Sequence, residues 1–85
     1  MTDLPVLIAI TPNFHRLDIS PSGRRLSIWF SYGTPIAFQK DGHDRVYVRE
    51  NEWGGVTARH MNCLVIKEER IDGLIWRDMF LEAMP

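Results

Sequence analysis

The chain is 85 residues long, 45% hydrophobic and 25% charged, with ten Lys+Arg against eleven Asp+Glu for a formal net charge of −1. So short a chain builds one core and no second, so residues 1–85 read as a single domain, and the near-neutral total gives no bulk attraction to nucleic acid or anionic membranes. A lone cysteine, Cys63, excludes an intrachain disulfide and leaves a cysteine-based zinc site without ligands, which suits a reducing bacterial cytoplasm.

The first element is Val6–Ile10, a continuous apolar run stopped by Thr11-Pro12-Asn13. It reads as a strand buried on both sides or lying beneath helices. It carries no basic flank and is too short to cross a bilayer or act as a secretory signal, so a soluble protein without a membrane partner is expected. From Arg16 the period is two. Leu17 and Ile19 alternate with Asp18, and Leu26, Ile28 and Phe30 alternate with Ser27, Trp29 and Ser31. The link Ser20-Pro21-Ser22-Gly23 has the residues of a type I turn, which makes the two runs a hairpin. Tyr32-Gly33 then breaks the chain, and Thr34, Ile36 and Phe38 share one face of the next strand, with Pro35 near its start. The turn Lys40-Asp41-Gly42-His43-Asp44 leads into Arg45–Arg49, where Val46 and Val48 face inward and Arg45, Tyr47 and Arg49 outward.

The last third changes to a helical period. Thr57 is placed as an N-cap, Val56 and Met61 sit at staple spacing, and Met61, Leu64 and Val65 continue an apolar stripe, so a helix is expected from Thr57 to near Lys67. Asp72 caps a second helix, with Ile71 stapled to Trp76 and an apolar face extended by Ile75/Met79 and Trp76/Phe80. The expected fold class is α+β: an antiparallel β-meander of three to four strands followed by two short helices packed on one face.

Three spaced blocks, SYGTPIAF (31–38), VRENEW (48–53) and TARHMN (57–62), resemble the pattern S-Y-x-T-P-V-A-F, V-x-E-N-x-W, T-x-x-H-x-N of a small uncharacterised domain of phage, prophage and plasmid proteins. Gly54-Gly55-Val56 stand where that pattern has a polar run ending in two threonines, and the N-terminal segment has no counterpart in it. The resemblance implies a mobile-element origin and an α+β fold, with no activity attached. From the residues themselves, 49–62 reads as a structural corner. Trp53 supplies an apolar anchor, Gly54-Gly55 permit a sharp reversal, and His60 reaches back toward the cap or strand end.

Catalytic chemistry finds little footing. His60 and Cys63 lie three apart on one helix, but Cys63 beside Leu64 and Val65 reads as a buried inert thiol. His15, His43 and His60 lack the short spacing of metal ligands, and Gly54-Gly55 lacks the lysine of a phosphate loop, so no enzyme activity, metal or cofactor is expected. Binding remains. The outward sheet face would carry Trp29, Arg45, Tyr47 and Arg49, with Trp53 and His60 at the corner, and aromatic and arginine side chains are enriched at protein-interface hot spots. The expected function is binding of a host or element-encoded protein, in the manner of an anti-defence (such as anti-CRISPR) inhibitor, a step that follows from the resemblance alone. The alternative is a single-stranded nucleic acid stacked on the same aromatic-arginine face. The plainest reading is that arginine stems simply lie across aromatic rings. The small size also admits a homodimer.

Overall fold

Short strands joined by tight turns place each strand beside its predecessor, and the sheet keeps chain order. The computed structural model describes residues 5–20, 23–51, 54–65 and 69–84. β1 (Val6–Thr11), β2 (Phe14–Ile19), β3 (Leu26–Ser31), β4 (Thr34–Lys40) and β5 (Tyr47–Val48) form one antiparallel five-stranded sheet, followed by α1 (Gly55–Asn62) and α2 (Gly73–Ala83). The α+β class expected from the sequence is what forms, with one strand more. Across the β2–β3 link, whose Pro21 and Ser22 lie outside the described residues, the Gly23 N–H donates to the Ser20 carbonyl at 3.3 Å.

Strand register sorts the side chains onto two faces. On one, Phe14 pairs with Ser31, Trp29 with Ala37, and Ala37 with Val48; on the other, Leu17 pairs with Ile28, Ile28 with Phe38, and Phe38 with Tyr47. The first set packs with Met61 of α1, and the second with Trp76 of α2. The two helices therefore cover opposite faces instead of sharing one.

A bulge in β4 divides that strand between the two faces. Trp29 pairs with Ala37 but Phe30 pairs with Pro35, which leaves Ile36 as the extra residue on β4. Ile36 joins the α1-side core and Phe38 the α2-side core, although strict alternation would have put them together. The offset carries into β5, so Val48 points toward α1 and Tyr47 toward α2. Trp29, expected to face outward, does lie on the opposite face from Ile28, but that face is covered as well, and it is a core residue only 7% exposed.

α2 follows its sequence closely. The Asp72 carboxylate accepts from the N–H groups of Leu74 and Ile75 at 3.1 and 3.3 Å, satisfying two donors that no helix turn can reach. Trp76 is buried, stacks on Phe80 at 4.9 Å and donates its indole N–H to the Tyr47 carbonyl at 2.7 Å. Ile75 faces solvent instead of the sheet.

α1 departs further from expectation. Its N-cap is Gly54, no side chain caps it, and Thr57 lies inside the first turn with its hydroxyl on Ser31. Val56 is exposed while Met61 is fully buried, so these two form no staple. Because the helix stops at Asn62, Cys63 sits at the C-cap, free and exposed, where a buried thiol was expected.

β1 is the last departure. Expected between two covering layers, it is instead the sheet edge, and all six of its residues are exposed. No helix among the described residues is long and apolar enough to cross a membrane.

Two opposed cores give a direct test. Trp29→Ala and Trp76→Ala should each lower unfolding free energy by about 3–5 kcal/mol in urea titrations, whereas Arg45→Ala should change it by less than about 0.5 kcal/mol.

Candidate binding site

The β3–β4 connection has only two residues. Ser31 pairs directly with Thr34, and the residues between, Tyr32 and Gly33, take φ of 52° and 80°. Positive φ at both positions is the type I′ geometry, whose twist matches that of the flanking strands. Gly33 adopts it freely. Tyr32 does not: a side chain in the left-handed region costs about 1 kcal/mol or more, and asparagine or glycine would bear it better. The Tyr32 N–H donates to the Asn13 carbonyl at 2.9 Å, which fixes this turn to the β1–β2 turn, yet its side chain stays 57% exposed.

The start of α1 lies opposite. Asn51 donates a side-chain hydrogen bond to the Gly54 carbonyl at 3.3 Å, and the chain turns through Gly54 and Gly55 into the helix. Between the turn and the helix is an open cavity of about 350 Å³, lined largely by apolar atoms of Tyr32, Thr34, Gly54, Gly55, Val56 and Thr57, with Ser31 at its base.

A buried polar chain holds the two walls together. Ser31 Oγ lies 3.0 Å from Thr57 Oγ1 and 2.8 Å from His60 Nδ1. A Thr57 hydroxyl donating to Ser31, and Ser31 donating to a neutral His60 ring, satisfies both bonds with one proton in each. The His60 ring stacks almost parallel on Phe14, centroids 4.5 Å apart, and Tyr32 lies 6.1 Å away on another side. Burial, and then the nearby Arg59 charge, lower the His60 pKa from its usual 6.5.

This chain of hydroxyls and imidazole resembles the start of a catalytic triad but lacks its electrostatics. Among the described residues His60 meets Ser31, Phe14 and Tyr32, none of them a carboxylate able to stabilise an imidazolium. Ser31 is itself closed from solvent. Among the described residues no three His, Cys, Asp or Glu side chains group as metal ligands.

The six residues singled out from sequence divide four ways. His60 stands behind the cavity. Tyr47 lies in β5 with Arg45 and Arg49 flanking the strand, the Arg45 guanidinium 5.4 Å from the Tyr47 ring centre and that of Arg49 5.5 Å from Trp76. Tyr47 stacks on Phe38 under α2, and Trp29 is buried on the opposite face, so the expected aromatic platform is split by the sheet itself. Trp53 lies outside the described residues. The residues missed as a site were Ser31, Tyr32, Val56 and Thr57, although the SYGT and VTARH segments contain them; the signal was a tyrosine in a Tyr-Gly hairpin turn, where asparagine or glycine is the easier residue.

A second cleft, about 460 Å³, lies on the far side of α1 between Glu50, Asn51, Ala58, Asn62 and Arg70. Arg70 spans it, donating to Asn62 Oδ1 at 2.6 Å and to the Ala58 carbonyl at 3.3 Å. It ties the approach to α2 onto α1, which is a structural use of both polar residues.

The model of a family of unknown function matches residues 9–77 of the chain. No curated protein and no solved structure matches it.

His60 makes stability depend on pH. The folded pKa lies below the unfolded one, so the unfolded chain takes up a proton first; the contribution is complete above about 6.5 and is lost as pH falls through the folded value. Thermal scans between neutral and acidic pH should show Tm falling below that point, and His60→Gln should flatten the fall. Ser31→Ala should cost about 1–2 kcal/mol by leaving buried partners unmatched.

Proposed function

The chain belongs to DUF8033, a family of unknown function, and from that premise we propose that it is a non-catalytic protein-binding module whose contact site is the corner between the β3–β4 turn and α1. The observation that carries this reading is Tyr32. The fold needs a positive φ there, which asparagine or glycine bears more easily than tyrosine, and a strained backbone bearing an aromatic ring that is more than half exposed beside a cavity is strain retained for a contact.

The surroundings suit a protein ligand. Tyr32 and the exposed Val56 flank an apolar-lined recess that can take one side chain of a partner, and the Ser31, Thr57 and His60 chain keeps both walls fixed before binding. Rigid walls reduce the ordering cost of association, and an aromatic anchor beside a pocket is the usual form of an interface hot spot. We take the partner to be a host or element-encoded protein, with inhibition of a defence system as the concrete version that the resemblance to mobile-element domains suggests.

Tyr32→Asn separates contact from stability. Asparagine relieves the left-handed strain, so Tm should stay level or rise by the equivalent of about 0.5–1 kcal/mol, while recovery of a stoichiometric partner from nuclease-treated bacterial lysate should be lost. If the variant keeps the partner, the corner is not the contact site. A wild-type chain that retains only nucleic acid would reverse the reading.

A further inference from the structure

We propose that the chain forms a two-fold symmetric dimer through β1, joining two five-stranded sheets into one of ten strands. β1 has one strand partner among the described residues, β2, so alternate backbone N–H and C=O groups along its other side point away from the sheet. Its large side chains are open to solvent on both faces, Val6 by 52%, Leu7 by 65% and Ile10 by 48%. Soluble proteins blunt such an edge with charge, proline, a bulge or a covering segment; the six residues VLIAIT hold neither a charge nor a proline, and the one register shift, between Ala9 and Thr11, lies at the strand's end and leaves Val6–Ala9 regular.

The strand's chemistry identifies its occupant. Unpaired backbone groups along an extended segment ask for another strand, and an uncharged one meets its own copy without like-charge repulsion. The opposite edge of the sheet directs the symmetry. There the Ile71 N–H donates to the Val48 carbonyl at 2.7 Å, and the Ile71 carbonyl accepts from the Glu50 N–H at 2.8 Å, so β5 is already occupied. Head-to-tail growth from β1 onto β5 is blocked, and pairing of β1 with β1 closes after two chains.

Symmetry also fixes the register. A two-fold axis relating antiparallel neighbours stands perpendicular to the sheet, which requires one residue to face its own copy. Centring on Ile8, in the regular run that precedes the register shift between Ala9 and Thr11, sets Leu7 against the copy of Ala9 and brings Leu7 and Ile8 into the seam. Val6 and Ile8 lie on the α1 side, opposite Asp18 and Arg16, and Leu7 on the α2 side, opposite Leu17. One strand pair buries less than the roughly 1,200 Å² of a stable interface, so the association is in the micromolar range or weaker.

Sedimentation of the full chain from micromolar to near-millimolar concentration tests this. The expected result is a mass rising from one chain to two and no further, with Ile8→Lys held at one chain and still folded by circular dichroism. Ile8→Cys in a Cys63→Ser background should form a disulfide dimer on mild oxidation, and Leu7→Cys in that background should not; this pair decides the register even if Ile8→Lys fails to fold. A wild-type chain that stays monomeric throughout, a mass that climbs past two chains, or equal cross-linking at both cysteines overturns the proposal. Ile8→Lys should leave capture of a partner at the Tyr32 corner unchanged, so the two readings fail separately.

Discussion

β3 is buried along both of its faces, and the rest of the molecule answers to that condition. Leu26 and Ile28 belong to one core, Trp29 to the other, and both sets lie in a strand of six residues. A strand of that kind must have cover above and below, since each exposed large side chain would forfeit about 1.5–3 kcal/mol of burial. The chain has two helices to give. One goes to each side, and neither can do the other's work: α1 brings Met61, and α2 brings Trp76 with Phe80.

The candidate site follows from how α1 is seated. A helix of eight residues without a side-chain cap is too short to stand alone. It is held by Met61 in the core and by Thr57 and His60 hydrogen-bonded to the last residue of β3. Those same bonds place the helix start beside the β3–β4 turn and leave a recess between them. The polar residues that looked most like chemistry thus serve as attachment, and the strained tyrosine next to them keeps its ring mostly in solvent, with a ring contact to His60 at 6.1 Å.

What could be read in the sequence were the features governed by near neighbours in the chain. The turns at Ser20–Gly23 and Tyr32-Gly33, the strand series, and the Asp72 cap of α2 all depend on residues within a few positions of each other. The faces could not be read in the same way. One extra residue at Ile36 inverts the alternation for everything after it in the sheet, and that bulge is set by pairing across strands. Tyr47 and Val48 were therefore assigned to the wrong partners, whereas Trp29, which precedes the bulge, was placed on the right face and is buried because that face is covered too. β1 was misplaced for a related reason, because a fully apolar run is the pattern of a central strand and equally of an edge that has something to pair with. Cys63 turned on a boundary: with α1 ended at Asn62, the thiol emerges at the surface.

The simple succession of β1 to β5 has a consequence for how the molecule comes into being. Each strand pairs with the one made immediately before it, so the sheet closes through short loops and can assemble progressively as the chain leaves the ribosome. The helices that cover its two apolar faces are encoded after it. During that interval a nascent sheet stands with Trp29 on one side and Ile28 with Phe38 on the other, uncovered, and synthesis of the last third of the chain sets how long it must be kept from its neighbours.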